Sequence, residues 1–128
     1  MTEKKTAQAT QGLLTDRELE IEISNLLRKA GIPAHLLGYD YLGEAIKLSY
    51  KDKSYVYNVT KRLYPKVAEI YSTTPTRAER AMRHAIDLAF DRGNMKFIKD
   101  NFSYDPRKGK ATNSEFIADA VVYLKNNY

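Results

Sequence analysis

The pattern of apolar and polar positions along the chain predicts helices throughout. Thr15 and Glu18 have the spacing of a capping box, so a first helix is expected to begin there, and Gly31 and Pro33 are expected to end it. A second helix is predicted over about 39–50 from the same apolar periodicity. The residues expected to be buried in these two helices are Leu19, Ile21, Ile23, Leu26, Leu27, Tyr41, Leu42, Ala45, Ile46 and Leu48.

The next stretch, residues 51–62, has an ambiguous pattern. Tyr55, Val56, Tyr57 and Val59 have strand propensity, but no partner strand is evident, and a lone strand in a helical chain is marginal. We therefore interpret this stretch as helix with irregular ends.

Residues 64–92 carry the most informative pattern. A short helix is predicted over about 64–71, a polar turn over 72–74, and a longer helix over 75–92 with Pro75 in its first position after a threonine N-cap. Two helices separated by so short a turn have the layout of a helix-turn-helix, whose second helix enters the major groove of DNA.

The longer helix has two different sides when it is wound at about 100° per residue. One side is a stripe of mostly small apolar residues that would let another helix approach closely: Ala78, Ala81, Met82, Ala85 and Ala89. The other side is polar, and its first half is basic whereas its second half is acidic: Arg77, Glu79, Arg80, Arg83, His84, Asp87 and Asp91. Because phosphate repels acidic groups, nucleic acid is expected to meet the N-terminal half.

The residue types in that half suit base reading. Arg77 or Arg80 can donate two hydrogen bonds to guanine, and Glu79 can accept one from cytosine N4. Three threonines at the start of the helix can hold a phosphate with their hydroxyls and the free backbone amides: Thr73, Thr74 and Thr76. The same residues also fit an ordinary solvated helix face that carries arginine and glutamate pairs, and this alternative stays open.

The C-terminal part is predicted to contain two further helices. Residues 93–94 are expected to end the long helix as a left-handed cap does, before a short helix over about 95–102. A basic loop follows over 103–111, in which Lys110 is a candidate contact to the DNA backbone beside Arg107 and Lys108. Thr112 and Glu115 form another capping box, which opens a final helix to about Asn126. Its residues expected to point inward are Phe116, Ile117, Ala120, Val121 and Leu124.

Composition narrows the class of protein. The 128 residues suffice for one domain, predicted over 13–128, while residues 1–12 lack apolar rhythm and are expected to be a disordered tail or linker remnant. The net charge of +5 and the sequence pI of about 9.3 allow an anionic partner such as nucleic acid. No apolar run reaches the roughly 20 residues of a membrane span, and no signal peptide is evident, so a cytoplasmic protein is expected.

Catalysis and metal binding are not predicted. The chain has no cysteine, which excludes disulfides and thiolate metal sites. His35 has no second histidine nearby, so a structural or surface role is expected for it. No nucleophile, base and orienting group can be assembled, and no phosphate-binding loop or metal-ligand spacing occurs. We therefore expect neither an enzyme nor a protein with a cofactor.

Four motifs together resemble a known family. They are PAHLLGYDYLGEAI at 33–46, KRLYPKVAEIYSTTPTRAERAMRHAI at 61–86, RGN at 92–94 and ATNSEFIAD at 111–119. In this order they are similar to the C-terminal effector domain of the stage zero sporulation protein A family. Members of this family are response regulators of endospore-forming bacteria. The resemblance covers about residues 20–126.

The resemblance implies a six-helix, helix-turn-helix transcription factor that binds a short promoter element with a core like TGTCGAA. Family positions that read bases match Arg77, Glu79 and Arg80, and positions beside the backbone match Arg83 and His84. The family activates some promoters and represses others, and it binds tandem boxes head to tail. A complete member also carries an N-terminal receiver domain, which nothing in this sequence resembles.

A surface for the sigma factor of RNA polymerase is also implied, after the long helix. It matches Phe97, Lys99 and Phe102, although family members tend to have small polar residues where this chain has Phe97 and Lys99. Two further hypotheses stay open from the residues alone. One is a protein-interaction module or antagonist that acts on RNA polymerase or on a full-length regulator through residues 95–104. The other is binding of single-stranded nucleic acid through the basic loop.

Overall fold

Six α-helices form the framework of the protein in a computed structural model that describes residues 14–103 and 105–128. They are α1 (Asp16–Ala30), α2 (Leu37–Lys51), α3 (Tyr64–Ile70), α4 (Pro75–Arg92), α5 (Met95–Asn101) and α6 (Asn113–Asn127). No strand occurs in these described ranges, so the all-α, six-helix prediction is confirmed. The predicted tail over residues 1–12 lies outside the described residues.

Both predicted capping boxes are present. At α1, Thr15 Oγ1 accepts from the Glu18 amide at 3.1 Å, and the Glu18 carboxylate accepts from the Thr15 amide at 3.0 Å. At α6, Thr112 and Glu115 make the same reciprocal pair at 3.2 and 3.0 Å. As predicted, α1 ends at Gly31, which adopts the left-handed conformation with φ of 89°. These helix ends are fixed by residues that lie within four positions of one another.

The end of α4 differs from the prediction. Gly93 has φ of −86° and ψ of −154°, so its backbone is extended and no left-handed cap forms. Glycine is needed there for a different reason, since a Cβ atom would lie 2.5 Å from the Ala89 oxygen and 2.6 Å from the Ala30 oxygen. The Asn94 amide also donates to Ala30 O at 3.1 Å. The end of α4 is therefore joined to the end of α1, a contact that local sequence patterns do not indicate.

The ambiguous stretch before α3 is only partly helical. Asp52 leaves the helical region with φ of −139°, and its carboxylate accepts from the Ser54 amide at 3.0 Å. A single 3-10 turn over Lys53–Tyr55 follows, and then a π-helical turn over Val59–Leu63 leads directly into α3. The prediction of one helix with irregular ends is therefore wrong in two places: at Asp52, whose side chain favours a local turn over continuation of α2, and over 56–58, which lie outside both helical turns.

The core lies between α2, α4 and α6, with α1 packed on one side. Most residues predicted to be inward are buried, but Ile21 is 47 % exposed, and Leu48 and Ala81 are only partly buried. Ile21 is two residues from both Leu19 and Ile23, which places it about 200° around the helix from each. Ile86 is not part of the predicted α4 stripe, yet it is fully buried.

Candidate nucleic-acid interface

A tight turn joins α3 to α4. The Thr73 amide donates to Ala68 O at 2.9 Å, and Ser72 adopts a left-handed φ of 54°. Thr74 then caps α4, because its Oγ1 accepts from the Arg77 amide at 3.1 Å. The short helix, polar turn and long helix that the sequence predicted are all present with nearly the predicted bounds.

The apolar stripe of α4 is covered closely by the start of α2. A Cβ atom on Gly38 would lie 2.8 Å from Ala85 Cβ and closer still to the carbonyl oxygen of Ala81. These distances are below ordinary van der Waals separation, so only glycine allows the observed approach. As expected from its small residues, the stripe accepts another helix at short range, and α4 is thereby held against α2.

The opposite face of α4 is exposed and mainly basic in its N-terminal half. Arg77, Arg80, Arg83 and His84 are all exposed. Among the described residues, neither Arg77 nor Arg80 forms an ion pair. Arg83 pairs with Glu79 one turn earlier, and the Glu79 side chain is only 22 % exposed. The free arginines leave a donor-rich surface, while the Glu79 and Arg83 pair is the intrahelical contact that an ordinary helix face would also have.

The three threonines predicted to hold a phosphate differ in exposure and in how many of their hydrogen-bonding groups are still available. Thr74 and Thr76 are exposed and Thr73 is half-buried, but the Thr74 hydroxyl already accepts the Arg77 amide. Pro75 has no amide hydrogen, so Thr76 offers the first free backbone donor of the helix together with its own hydroxyl. Of the three, Thr76 is the best placed to bind an anion at the start of α4.

Lys110 reaches the acidic half of α4. Its Nζ lies 3.0 Å from Asp91 Oδ1, which brings the basic loop alongside the C-terminal part of the helix. An open groove of about 360 Å³ lies between α4 and the start of α6, and Lys110 lines it with Arg83 and Asp87. The acidic character of this half of α4 is therefore partly neutralised by a residue 19 positions away in sequence.

Two further residues that line this groove are not indicated by any sequence pattern. Tyr64 is the first residue of α3 and Asn113 is the first residue of α6, and both are buried. An asparagine directly after a threonine N-cap suits a helix start, so its sequence context gives no sign of burial between helices.

The predicted sigma-factor surface is only partly accessible. Phe102 is 8 % exposed, and its ring centroid lies 5.2 Å from that of Phe116. Phe97 is half-buried and packs edge to face on Tyr123 at 5.5 Å. Lys99 is exposed. The two aromatic side chains thus contribute to packing between α5 and α6, a consequence of the apolar side of this short helix facing the core.

No group of three or more potential metal-ligating side chains occurs within residues 14–103 and 105–128. His35 is exposed, in agreement with the surface role expected for it. In the same part of the chain, none of the helices combines the length and the apolar character that a membrane span requires.

Comparison with known families gives one match that covers most of the chain. Residues 23–124 match the family described as sporulation initiation factor Spo0A C terminal. The chain belongs to this family. The Spo0A C-terminal family is a DNA-binding regulatory family of sporulation and not an enzyme family. The matched residues span α2 to α5 entirely, together with the second half of α1 and most of α6, so the exposed basic half of α4 lies within the shared domain.

Proposed function

We propose that this protein is a sequence-specific regulator of sporulation-type promoters and that the N-terminal half of α4 reads a TGTCGAA-like box in the major groove. The observation that carries the proposal is the pair of exposed arginines, Arg77 and Arg80, on a helix that packs tightly on α2 through Gly38. Neither guanidinium is committed to an ion pair among the described residues, so both can donate two hydrogen bonds to guanine.

Glu79 has a second role in this proposal. Its carboxylate pairs with Arg83 in the free protein, and on DNA it is proposed to accept a hydrogen bond from a cytosine amino group. Arg83 would then be released toward a phosphate, and the exposed His84 beside it is proposed to contact the backbone as well. The proposed set of contacts to the DNA backbone is completed by Thr73, Thr74, Thr76 and Lys110. Thr76 can donate its main-chain amide, and Lys110 is proposed to leave Asp91 and bind a phosphate.

Two partner proposals follow from family membership. Two copies are proposed to bind tandem boxes head to tail, and α5 is proposed to contact the sigma factor of RNA polymerase. Because Phe102 is buried, that contact is assigned to the exposed polar side of α5, where Lys99 lies. Lys99→Ala is expected to lower transcription from an activated promoter in a reconstituted assay while DNA affinity stays unchanged. A protein that binds promoters in this way acts in the cytoplasm, with the chromosome.

Electrophoretic shifts with a TGTCGAA-type box and a scrambled box, at two salt concentrations, test the main proposal. Arg80→Ala is expected to weaken binding to the box by about 1 to 3 kcal/mol and to change binding to scrambled DNA little. Arg92→Ala is the matched control, since it removes the same charge from the exposed C-terminal end of the same helix. Equal losses on both DNAs for Arg80→Ala would contradict base reading through this residue.

A further inference from the structure

Asn113 connects three helices through one buried side chain. It is 6 % exposed, and its Nδ2 donates to the Tyr64 hydroxyl at 3.1 Å and to the main-chain oxygen of Glu79 at 3.1 Å. Tyr64 begins α3, Glu79 lies in the first half of α4, and Asn113 itself begins α6. Both hydrogens of the amide group are therefore used between helices.

This contact constrains the N-terminal half of α4, which is the part proposed to read bases. Carbonyl oxygens have two lone pairs, so Glu79 O can accept from Asn113 in addition to its partner within the helix. Glu79 lies between Arg77 and Arg80 in sequence, and a bond to its main chain opposes both rotation of α4 and sliding along its axis. The capping box of α6 in turn holds Asn113, because Thr112 and Glu115 fix the first turn of that helix.

We propose that Asn113 is a positioning residue for sequence readout, an inference that rests on the function proposed above. It acts through the main chain of Glu79 and sets the register of the α4 side chains on the base edges. Binding driven by phosphate charge requires no such register, whereas paired hydrogen bonds to one base do. Loss of the Asn113 amide therefore lowers discrimination between DNA sequences more than it lowers general affinity for DNA.

The test compares dissociation constants for a TGTCGAA-type box and a scrambled box, at two salt concentrations and well below the unfolding temperature. The preference is expressed as the dissociation constant for scrambled DNA divided by the dissociation constant for the box. Asn113→Ala is expected to reduce this ratio by roughly fivefold or more, the effect of weakening one bidentate base contact. The salt dependence on scrambled DNA is expected to stay the same, since the phosphate contacts remain.

Two further variants separate positioning from general destabilisation. Asn127→Ala is the matched control, because Asn127 lies in the same helix and, within residues 14–103 and 105–128, donates to Tyr123 O of that same helix at 2.7 Å and to no other helix. Asn113→Asp keeps the volume and suits a helix N-terminus, but it has no donor for Glu79 O. It is expected to lower the ratio as Asn113→Ala does, and only the ratio is compared because the added charge weakens binding to both DNAs.

The outcomes distinguish the two proposals. If the unaltered protein prefers the box and both Asn113 variants keep the full preference, the inference about Asn113 is overturned and the proposed function stands. Equal weakening on both DNAs has the same meaning, because a merely structural role lowers both affinities together. If the unaltered protein has no preference at all, the proposed function fails and the inference fails with it.

Discussion

Gly38 and Gly43 allow a sharp test of how α2 positions α4. Both glycines lie within α2, but their surroundings differ. A Cβ atom on Gly43 would lie 3.8 Å from Ile23 Cγ2 and 4.0 Å from Leu27 Cδ1, which are ordinary contacts. A Cβ atom on Gly38 would lie 2.8 Å from Ala85 Cβ and closer still to the main chain of Ala81. Since carbon atoms pack at about 3.5 to 4.0 Å, α2 and α4 would have to separate by about 1 Å.

These distances set opposite expectations for the two alanine variants. Gly43→Ala should stabilise the protein by up to about 1 kcal/mol, the difference in helix propensity between glycine and alanine. Gly38→Ala has at most the same gain, and overpacking against a rigid backbone opposes it with a cost of about 1 to 3 kcal/mol. Since the propensity gain at Gly38 does not exceed the gain at Gly43, the steric overlap accounts for most of the expected difference between the variants, about 1 to 3 kcal/mol.

Urea denaturation followed by circular dichroism gives the free energy of unfolding of each variant. We expect Gly43→Ala to be the more stable of the two and to bind box DNA as the unaltered protein does. Gly38→Ala is expected to be less stable and to discriminate less between box and scrambled DNA, because α4 is displaced. Equal stability of the two variants would refute the argument that Gly38 is required for the approach of α2 to α4.

Two further predictions concern side chains outside the proposed interface. Ser49 Oγ is fully buried without a hydrogen-bond partner within the described residues, so Ser49→Ala should raise the free energy of unfolding by about 1 kcal/mol. Ser24→Ala should lower it by a similar amount, because Ser24 Oγ shares a 2.6 Å hydrogen bond with the Tyr39 hydroxyl; the opposite order in urea denaturation would contradict this reasoning. At α6, the hydrogen bond from the Thr112 amide is the main cause that lowers the pKa of Glu115 below its ordinary value of 4.5. Ionised Glu115 therefore stabilises the fold above that value, and the stability advantage over Glu115→Gln should shrink as the pH falls through the lower pKa of the folded state. An advantage that is the same at neutral and acidic pH would show that the charge of Glu115 contributes nothing.

Local sequence signals predicted most of the helices and several of their ends. Thr15, Thr74 and Thr112 cap helices where the pattern placed them, because each cap is made with an amide three residues away. The prediction failed at Asp52, where a local turn interrupts the helix, and at Gly93, where a neighbouring helix end demands glycine without a left-handed backbone. The first failure reflects two competing local structures, and the second reflects a contact between distant parts of the chain.

The proposed site was also predicted in part. Periodicity placed Arg77, Arg80 and Arg83 on the exposed side of α4, and the structure agrees. Periodicity could not show that Phe102 packs on Phe116 or that Lys110 pairs with Asp91. Both pairs join residues more than ten positions apart, and no local pattern encodes which distant residue a side chain meets.

The sequence by itself determined the all-α class, most of the helix ends, the basic half of α4 and, through its motifs, the family. These features depend on interactions within a few residues along the chain, for which spacing is sufficient information. Only the tertiary structure decided how α4 is held. Gly38 meets Ala85 47 positions away and Asn113 meets Tyr64 49 positions away, and such contacts exist only after the helices have packed together.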